Sequence, residues 1–271
     1  MKKIRLDMLL VQKELFHSRT EAQSAIINHQ VLVNDELIIK SGTLFALNSI
    51  IRIKKQNNQF VSRGGYKLSK ALKAFNINLE NLVCLDIGSS TGGFTDCMLQ
   101  NQAKLVYSLD VGTNQLAWKL RIHPQVIVME NTNFRYVKKE MFKDNISFCA
   151  IDVAFISLTK IIPVLTEILM PLGQLVCLIK PQFESSRTQI EKGGVVKNPI
   201  VHYQVLNNLI AFFKEYGFSL QGLIYSPIVG HKKGNIEYLA HLFFNNLLQS
   251  KEIDVIKLVD DAFNTLTNTT K

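Results

Sequence analysis

Four ionisable residues stand out, three of them at the ends of strand-like apolar runs. Lys67 follows two glycines in VSRGGYKL, Asp152 closes the apolar part of AIDVAFISL, Lys180 closes LIK in LIKPQFE, and Glu237 opens IEYLAHLFF. A charge at the end of an apolar run needs a partner, because a buried unpaired ion is costly. Two cations and two anions can satisfy one another, either as a structural ion pair or as a site that handles a proton. A second group of residues suits ligand binding. LDIGSSTGGF places Gly88 after a strand and Gly92–Gly93 at the start of a helix. Glycines there let the backbone approach a ligand, and a helix N-terminus offers free N–H groups. Asp110 ends the next apolar run, 22 residues beyond Gly88. A carboxylate in that place can accept two ribose hydroxyls, as in proteins that bind nucleoside-containing cofactors. Asp86 and Phe94 are counted with this turn. Asn131 and Asn133 in ENTNF would border the base of such a cofactor. The GxxxGG spacing is neither the dinucleotide GxGxxG nor the phosphate-cradling GxxxxGK[ST].

The elements that must position these residues alternate from residue 82 onward. LVCLDIG, KLVYSLDVG, VIVME, FCAIDVAFIS and GQLVCLIK read as strands separated by helices such as FTDCMLQNQ. Short, nearly continuous apolar runs of this kind predict an α/β fold with a mainly parallel sheet covered on both faces. In a doubly wound sheet the carboxyl ends of the strands face the ligand crevice, which puts Asp152 and Lys180 beside the glycine turn. LTKIIPVLTEILM reads as a helix, with a Pro-Leu-Gly turn before the strand GQLVCLIK. HYQVLNNLIAFFKEYG is a long helix stopped by Gly217. FSLQGLIYSPI and IEYLAHLFF are late strands, and the tail from about 251 is amphipathic and then polar.

Charge separates the start of the chain from the rest. Residues 1–70 hold 12 Lys/Arg against 5 Asp/Glu, a net of +7; residues 71–271 hold 19 against 17, a net of +2. A basic module on a nearly neutral body points to an anionic partner, most often nucleic acid. Within it, Ile4, Met8, Leu9, Val11 and Leu15 recur at helical spacing. Ser18 can cap a second helix, with Glu21 completing a capping box. VLVN, the turn NDE, LIIK and SIIRIKK follow as strands, making an αα–βββ unit. KKQNNQFVSR reads as a linker. Hydrophobic residues at 47% and charged residues at 20% describe a globular protein. The four scattered cysteines show no CxxC pair and read as buried hydrophobes of a reducing compartment. The first 16 residues are too interrupted by charge for a signal peptide, and the apolar region 153–179 is broken by Pro163, Pro171, Lys160 and Glu167. A cytoplasmic protein, with no membrane partner, is expected.

RLDMLL, SRTEAQSAI and VLVN resemble the S4 RNA-binding domain over about residues 3–55. VSRGGYKL, LDIGSSTGGFTDCML, AIDVAFISL, LIKPQFE, GGVVKNP and SPIVGHKKGNIEYL resemble the TlyA (hemolysin A) family over nearly the whole chain. The resemblance implies an S4-type α+β domain at 1–56, a linker at 57–66 and an FtsJ-like methyltransferase domain at 67–271. The latter would have a Rossmann-like, mainly parallel seven-stranded sheet. It implies S-adenosyl-L-methionine as cofactor and 2'-O-methylation of cytidine in ribosomal RNA, 16S and/or 23S. The family's Lys-Asp-Lys-Glu tetrad falls on Lys67, Asp152, Lys180 and Glu237. Arg5, Ser18, Arg19 and Thr20 would face RNA, with Arg63 near its backbone and Gly64 and Gly65 allowing the approach. Lys180 is the expected base. Burial and a second cation, Lys67, favour its neutral form; the two carboxylates oppose it and are better suited to orient. Two departures touch only local RNA contacts: Ala154 replaces an expected hydroxyl residue, and 231–233 are unusually basic. No metal is implied, and the chain would act on ribosomal subunits as a monomer or weak oligomer. Two other classes compete. The family's hemolysin name raises a pore-former, opposed by the lack of a spanning helix or barrel repeat. A non-catalytic assembly factor is opposed by the intact tetrad and glycine turn.

Overall fold

The computed structural model describes residues 3–16, 18–27, 30–54, 59–230, 234–245 and 248–267. The chain divides into two units, Met1–Gln59 and Phe60–Lys271. Residues 60–66, read from sequence as linker, lie in the second unit: Phe60 is buried and a helix starts at Gly64. The basic stretch 231–233 lies outside the described residues.

The first unit contains β1 (Lys3–Arg5), α1 (Leu6–Gln12), α2 (Arg19–Ile27), β2 (Val31–Val33), β3 (Glu36–Leu37), β4 (Leu44–Ala46) and β5 (Ile51–Ile53). Leu6, Leu10, Ala22, Ala25 and Ile26 meet Val31 and Val33 in one small core. The predicted first helix stops early, at Gln12, because Glu14 turns into the left-handed region (φ 57°). Asn34 and Asp35 both have positive φ, 51° and 66°, and join β2 to β3. Such a two-residue turn matches the twist of paired strands, and Asn and Asp tolerate it. A three-stranded antiparallel sheet, β3-β2-β5, results. A further pair, β1 with β4, was not visible in the sequence because strands of three residues carry no period.

The second unit runs α3 (Gly64–Ala74), β6 (Val83–Ile87), α4 (Gly93–Gln100), β7 (Leu105–Leu109), α5 (Trp118–Arg121), β8 (Val126–Met129), β9 (Ile146–Ile151), α6 (Ile162–Leu165), β10 (Leu169–Ile179), α7 (Pro181–Glu184), α8 (Pro199–Glu215), β11 (Phe218–Tyr225), β12 (Tyr238–Phe244) and α9 (Val255–Thr267). Its seven strands form one sheet in the order β11-β12-β10-β9-β6-β7-β8. Every pairing from β10 to β8 is parallel, and β12 is antiparallel to both neighbours. Alternate residues serve opposite faces. Leu85, Ile87, Cys149, Ile151, Cys177 and Ile179 pack beneath α8 and α9. Cys84, Phe148, Ala150, Val176 and Leu178 pack against α3 and α4. Both faces are covered, so the strands read as unbroken apolar runs. This is the expected Rossmann-like α/β architecture.

One predicted element changes identity. The helix expected over LTKIIPVLTEILM shrinks to a 3-10 turn, Leu158–Lys160, and the single turn of α6, while β10 already begins at Leu169. Pro171–Gly173 is an irregularity inside that strand, where the register with β9 shifts and Leu172 has φ 66°. Short Leu/Ile runs suit a buried strand as well as a helix, so periodicity alone does not separate them. Gly217, at φ 77°, follows α8 as predicted.

Candidate active site

β9 and β10 are parallel neighbours, so the residues that follow them leave the same sheet edge side by side. Lys180 Nζ donates to Asp152 Oδ1 at 2.6 Å. Tyr238 pairs with Ile179, which brings Glu237 to that edge too. Lys67, in α3, reaches across to Glu237 Oε2 at 2.7 Å and Asp152 Oδ2 at 3.8 Å. The four predicted residues therefore form one chain, Lys180–Asp152–Lys67–Glu237. Their side chains are 12%, 20%, 12% and 4% exposed, in that order. Two anions and two cations leave the enclosed cluster without net charge, which offsets the cost of desolvating each.

Glycines set the position of α3. A Cβ on Gly65 would lie 2.3 Å from the Phe60 ring, and one on Gly93 would lie 2.3 Å from Ser62 Oγ and 2.8 Å from Gly65 N. Gly93 thus lets the start of α4 meet the backbone of α3 at Gly64–Gly65, while Gly65 leaves room for the Phe60 ring. This packing accounts for glycine at positions 65 and 93 independently of the RNA approach and cofactor binding expected there. Val61 N donates to Asp96 Oδ2 at 2.7 Å and fixes the lead-in. Arg63 is exposed just ahead of α3.

The loop between β6 and α4 abuts the tetrad. Gly88 has φ 85°, and a Cβ there would fall 2.6 Å from the Asp152 carbonyl oxygen. Gly92 has φ 97°, with Leu120 in the space a Cβ would need. Asp110 Oδ2 accepts Ser90 N at 2.8 Å and its Oδ1 accepts Gly112 N at 2.7 Å. Each of its oxygens keeps a second lone pair for a ribose hydroxyl. Asp86 Oδ2 accepts the Thr95 N–H and hydroxyl, at 2.9 and 2.6 Å. Its Oδ1 is buried without a partner among the described residues. Burial pushes this carboxyl up to about 7. An orphaned carboxylate oxygen beside a glycine loop fits a ligand that carries an ammonium or sulfonium. Exposed Val111 and Trp118 add apolar surface after β7.

Other predicted cofactor residues fare differently. Phe94 is 3% exposed and packed with Phe60 and Leu68, so it is a core residue. Asn133 Oδ1 accepts Arg135 N and caps the 3-10 turn Phe134–Tyr136. Asn131 is exposed at φ 53°, with its N–H given to Gly112 O. Between them and β8 stands a residue the sequence reading passed over. Glu130 accepts the N–H groups of Asn114, Gln115 and Leu116 and pairs with Arg121 at 2.6 Å. Burial raises this carboxyl, but Arg121 and the three N–H groups outweigh it and hold it down at about 2. The available signal was its place at a strand end, shared with Asp110 and Asp152.

A cavity of about 410 Å³ opens beside the tetrad, with Phe155, Ser157, Gln182 and Phe183 in its wall. Phe155 has φ 62° and is 92% exposed. Its ring lies 5.1 Å from that of Phe183, whose centroid is 5.9 Å from Lys180 Nζ. The amide oxygen of Gln182 is buried without a partner among the described residues. No cluster of metal-ligating side chains occurs among the described residues.

In the first unit, Asp7 is fully buried and gathers three donor side chains, besides the Met8 N–H at 2.9 Å. Arg5 donates through Nε and Nη2 at 3.0 and 2.9 Å, Arg19 at 3.2 Å and Gln23 at 2.7 Å. The Arg5 bond, together with Gln23 and Arg19, holds the Asp7 carboxyl far below the usual carboxylate range. The arginine side chains stay 44% and 55% exposed. Ser18 Oγ accepts Glu21 N at 3.1 Å, the expected cap, and Thr20 is exposed in the first turn of α2.

Residues 60–244 match the FtsJ-like methyltransferase family. The chain is 44% identical over 270 residues to YqxC of Bacillus subtilis, named as an rRNA methyltransferase, covering 98% of this chain and 96% of that one. It is 35% identical over 242 residues to the Mycobacterium tuberculosis 16S/23S rRNA (cytidine-2'-O)-methyltransferase TlyA, covering 89% and 90%. A solved structure of a protein named as a hemolysin from Streptococcus thermophilus superimposes with a TM-score of 0.78 at 44% identity, covering 99% and 98%.

Proposed function

Because the chain belongs to the FtsJ-like methyltransferase family, we propose that it transfers a methyl group from S-adenosyl-L-methionine to the ribose 2'-hydroxyl of a cytidine in ribosomal RNA, 16S and/or 23S. One observation carries the reading. Lys67, Asp152, Lys180 and Glu237 converge within 2.6–3.8 Å, and Gly88 of the cofactor loop packs on the backbone of Asp152.

S-adenosylmethionine, when bound, supplies a methyl on a sulfonium. Asp86, the Gly88–Gly92 loop and Asp110 would hold it, with Val111, Asn131 and Asn133 toward the base. What the protein's own residues must do is make a ribose hydroxyl nucleophilic. Lys180, as the neutral amine, accepts the 2'-hydroxyl proton. Asp152 aims Lys180 through the 2.6 Å bond. Lys67, held by Glu237, keeps a positive charge beside the reacting oxygen and draws on Asp152 only from 3.8 Å. The exposed ring of Phe155 with Phe183 offers a stacking platform for an unstacked base. Residues 1–56 act as the S4-type RNA-binding domain, with Arg5, Arg19 and Thr20 toward RNA, and Arg63 serves the backbone nearer the reaction. The protein works in the cytoplasm on ribosomal subunits, as a monomer or weak oligomer.

The test is transfer of tritiated methyl to undermethylated 30S and 50S subunits, followed by nucleoside mapping. 2'-O-methylcytidine in either is the expected product. Protein that binds the cofactor yet labels neither subunit would defeat the reading.

A further inference from the structure

The motifs AIDVAFISL and LIKPQFE each contain a residue that the transfer chemistry does not use, Ser157 in the first and Glu184 in the second. They meet. Ser157 Oγ donates to Glu184 Oε2 at 2.5 Å, and Leu158 N donates to Glu184 Oε1 at 2.9 Å. Ser157 Oγ also accepts Thr159 N at 3.1 Å, capping the 3-10 turn that follows. We propose that Glu184 is a positioning residue. By accepting both donors it latches the loop after β9 onto α7, and so holds Asp152 and Phe155 in place against Lys180 and Phe183. The proposal rests on the methyl-transfer reading of the site.

Two observations favour a latch over an ordinary cap. The first is Phe155. A bulky residue at φ 62° is strained, and strain persists only where the surroundings over-determine the backbone. With 92% of the residue exposed, the ring's own burial gives almost nothing back. The loop is instead pinned at its two ends. Asp152 N donates to Ile87 O upstream, and Glu184 takes Ser157 and Leu158 downstream. The second is the nature of Glu184. Burial raises its carboxyl, and its two hydrogen-bond partners are neutral donors. A partly desolvated carboxylate is a costly way to close a turn, because among the described residues its charge has no counter-ion. It does give two parallel, short bonds from one rigid group, which fixes a loop more tightly than a single cap.

The experiment compares wild type, Glu184→Ala, Glu184→Gln, Ser157→Ala and the Ser157→Ala/Glu184→Ala double variant. It measures kcat and KM on an undermethylated subunit, cofactor affinity by calorimetry, and folding by thermal melting. Glu184→Ala should lower kcat about 10–100-fold, the scale expected when a reactive geometry is loosened by about an ångström. Cofactor affinity should stay at the wild-type value. Glu184→Gln keeps an acceptor oxygen and adds an amide group from which the Ser157 hydroxyl can accept, so it should recover most of the rate. Losses in the double variant should be no greater than in Glu184→Ala, since both changes break one coupled interaction. Wild-type kcat in Glu184→Ala, strictly additive losses, or a loss accounted for by unfolded protein would overturn the latch. Wild-type protein that transfers no methyl would overturn the functional reading, and the positioning role with it.

Discussion

Asp7 in the first unit and Asp152 in the second are each approached by two cations, yet the two clusters are built for different work. Asp7 is sealed, with arginines that stay about half exposed. Asp152 is the more open carboxylate, at 20%, and its lysines are the enclosed partners, at 12% each. Guanidinium keeps its charge at any working pH and forms planar forks that match phosphate; an ammonium on a flexible stem can lose its proton. One cluster therefore fixes permanent charge on a surface. Under the proposed function, the other encloses its lysines so that one of them can serve as base. If the proposed function holds, the cation type and the direction of burial together separate an electrostatic platform from a reaction centre, although the carboxylate-and-two-cations arrangement is common to both.

Exchanging the cation type is the sharpest way to break this comparison. If Lys180 is the base, Lys180→Ala should cost about 10²–10⁴-fold in single-turnover methyl transfer. Lys180→Arg should fail equally, because guanidinium does not give up a proton in this range. The converse exchange in the first unit, Arg19→Lys, should leave methyl transfer on saturating substrate unchanged. Near wild-type transfer by Lys180→Arg would remove Lys180 as base and leave it a charge-neutralising role, with Lys67 next to be tested.

Asp86 sharpens the contrast, because it is fully buried with no cation paired to it among the described residues. Its folded-state value, about 7, lies above the unfolded value of about 4. The folded cofactor-free protein thus binds a proton that the unfolded chain releases, and stability falls as pH rises through that window. Asp86→Asn should remove a slope of roughly 1 kcal/mol per pH unit between about pH 4 and 7, and should weaken cofactor binding by deleting the anionic partner. Asp7 has the opposite sign. Its contribution is present above the usual Asp range and is lost only as pH falls below it. Thermal melts of the apo protein across pH would show parallel curves for wild type and Asp86→Asn if Asp86 ionises normally.

Much of this was legible in the sequence, for a physical reason. Strand ends are marked by an apolar run meeting a charge, which is why Asp110, Asp152, Lys180 and Glu237 could be named from the sequence alone. The sheet face of each strand residue follows from a period of two. What was not legible depends on which atoms fill the space next to a residue. Gly93 also spaces α4 from the backbone of α3, and Gly65 leaves room for the Phe60 ring. Phe94 follows them into the core. Glu130 and Glu184 have partners 9–27 positions away in the chain, and no local pattern encodes such pairings. Phe155 sits within AIDVAFISL, but no residue type in that stretch marks its left-handed backbone.

RNA affinity gives a smaller test of the platform. Arg5→Ala and Arg19→Ala should each weaken binding to ribosomal subunits and reduce the slope of log affinity against log salt by about one for each phosphate no longer neutralised. Cofactor affinity should not move. Salt slopes equal to wild type in both variants would mean that the arginines serve Asp7 alone.

The smallest effect concerns Ser18, where capping and RNA contact were both expected. Its hydroxyl accepts the Glu21 N–H, so Ser18→Ala should cost about 1 kcal/mol of stability in the first unit, the usual worth of an N-cap. That loss alone does not say whether Ser18 also faces RNA. Ser18→Asp does. Aspartate caps as well as serine and suits the positive end of a helix, so stability should return. It also adds a negative charge at the start of α2, next to Arg19. If this helix end faces phosphate, Ser18→Asp should bind subunits more weakly than Ser18→Ala, and high salt should narrow the gap as the added repulsion is screened. Equal binding by the two variants at low salt would confine Ser18 to its cap and move the RNA-facing surface away from that turn.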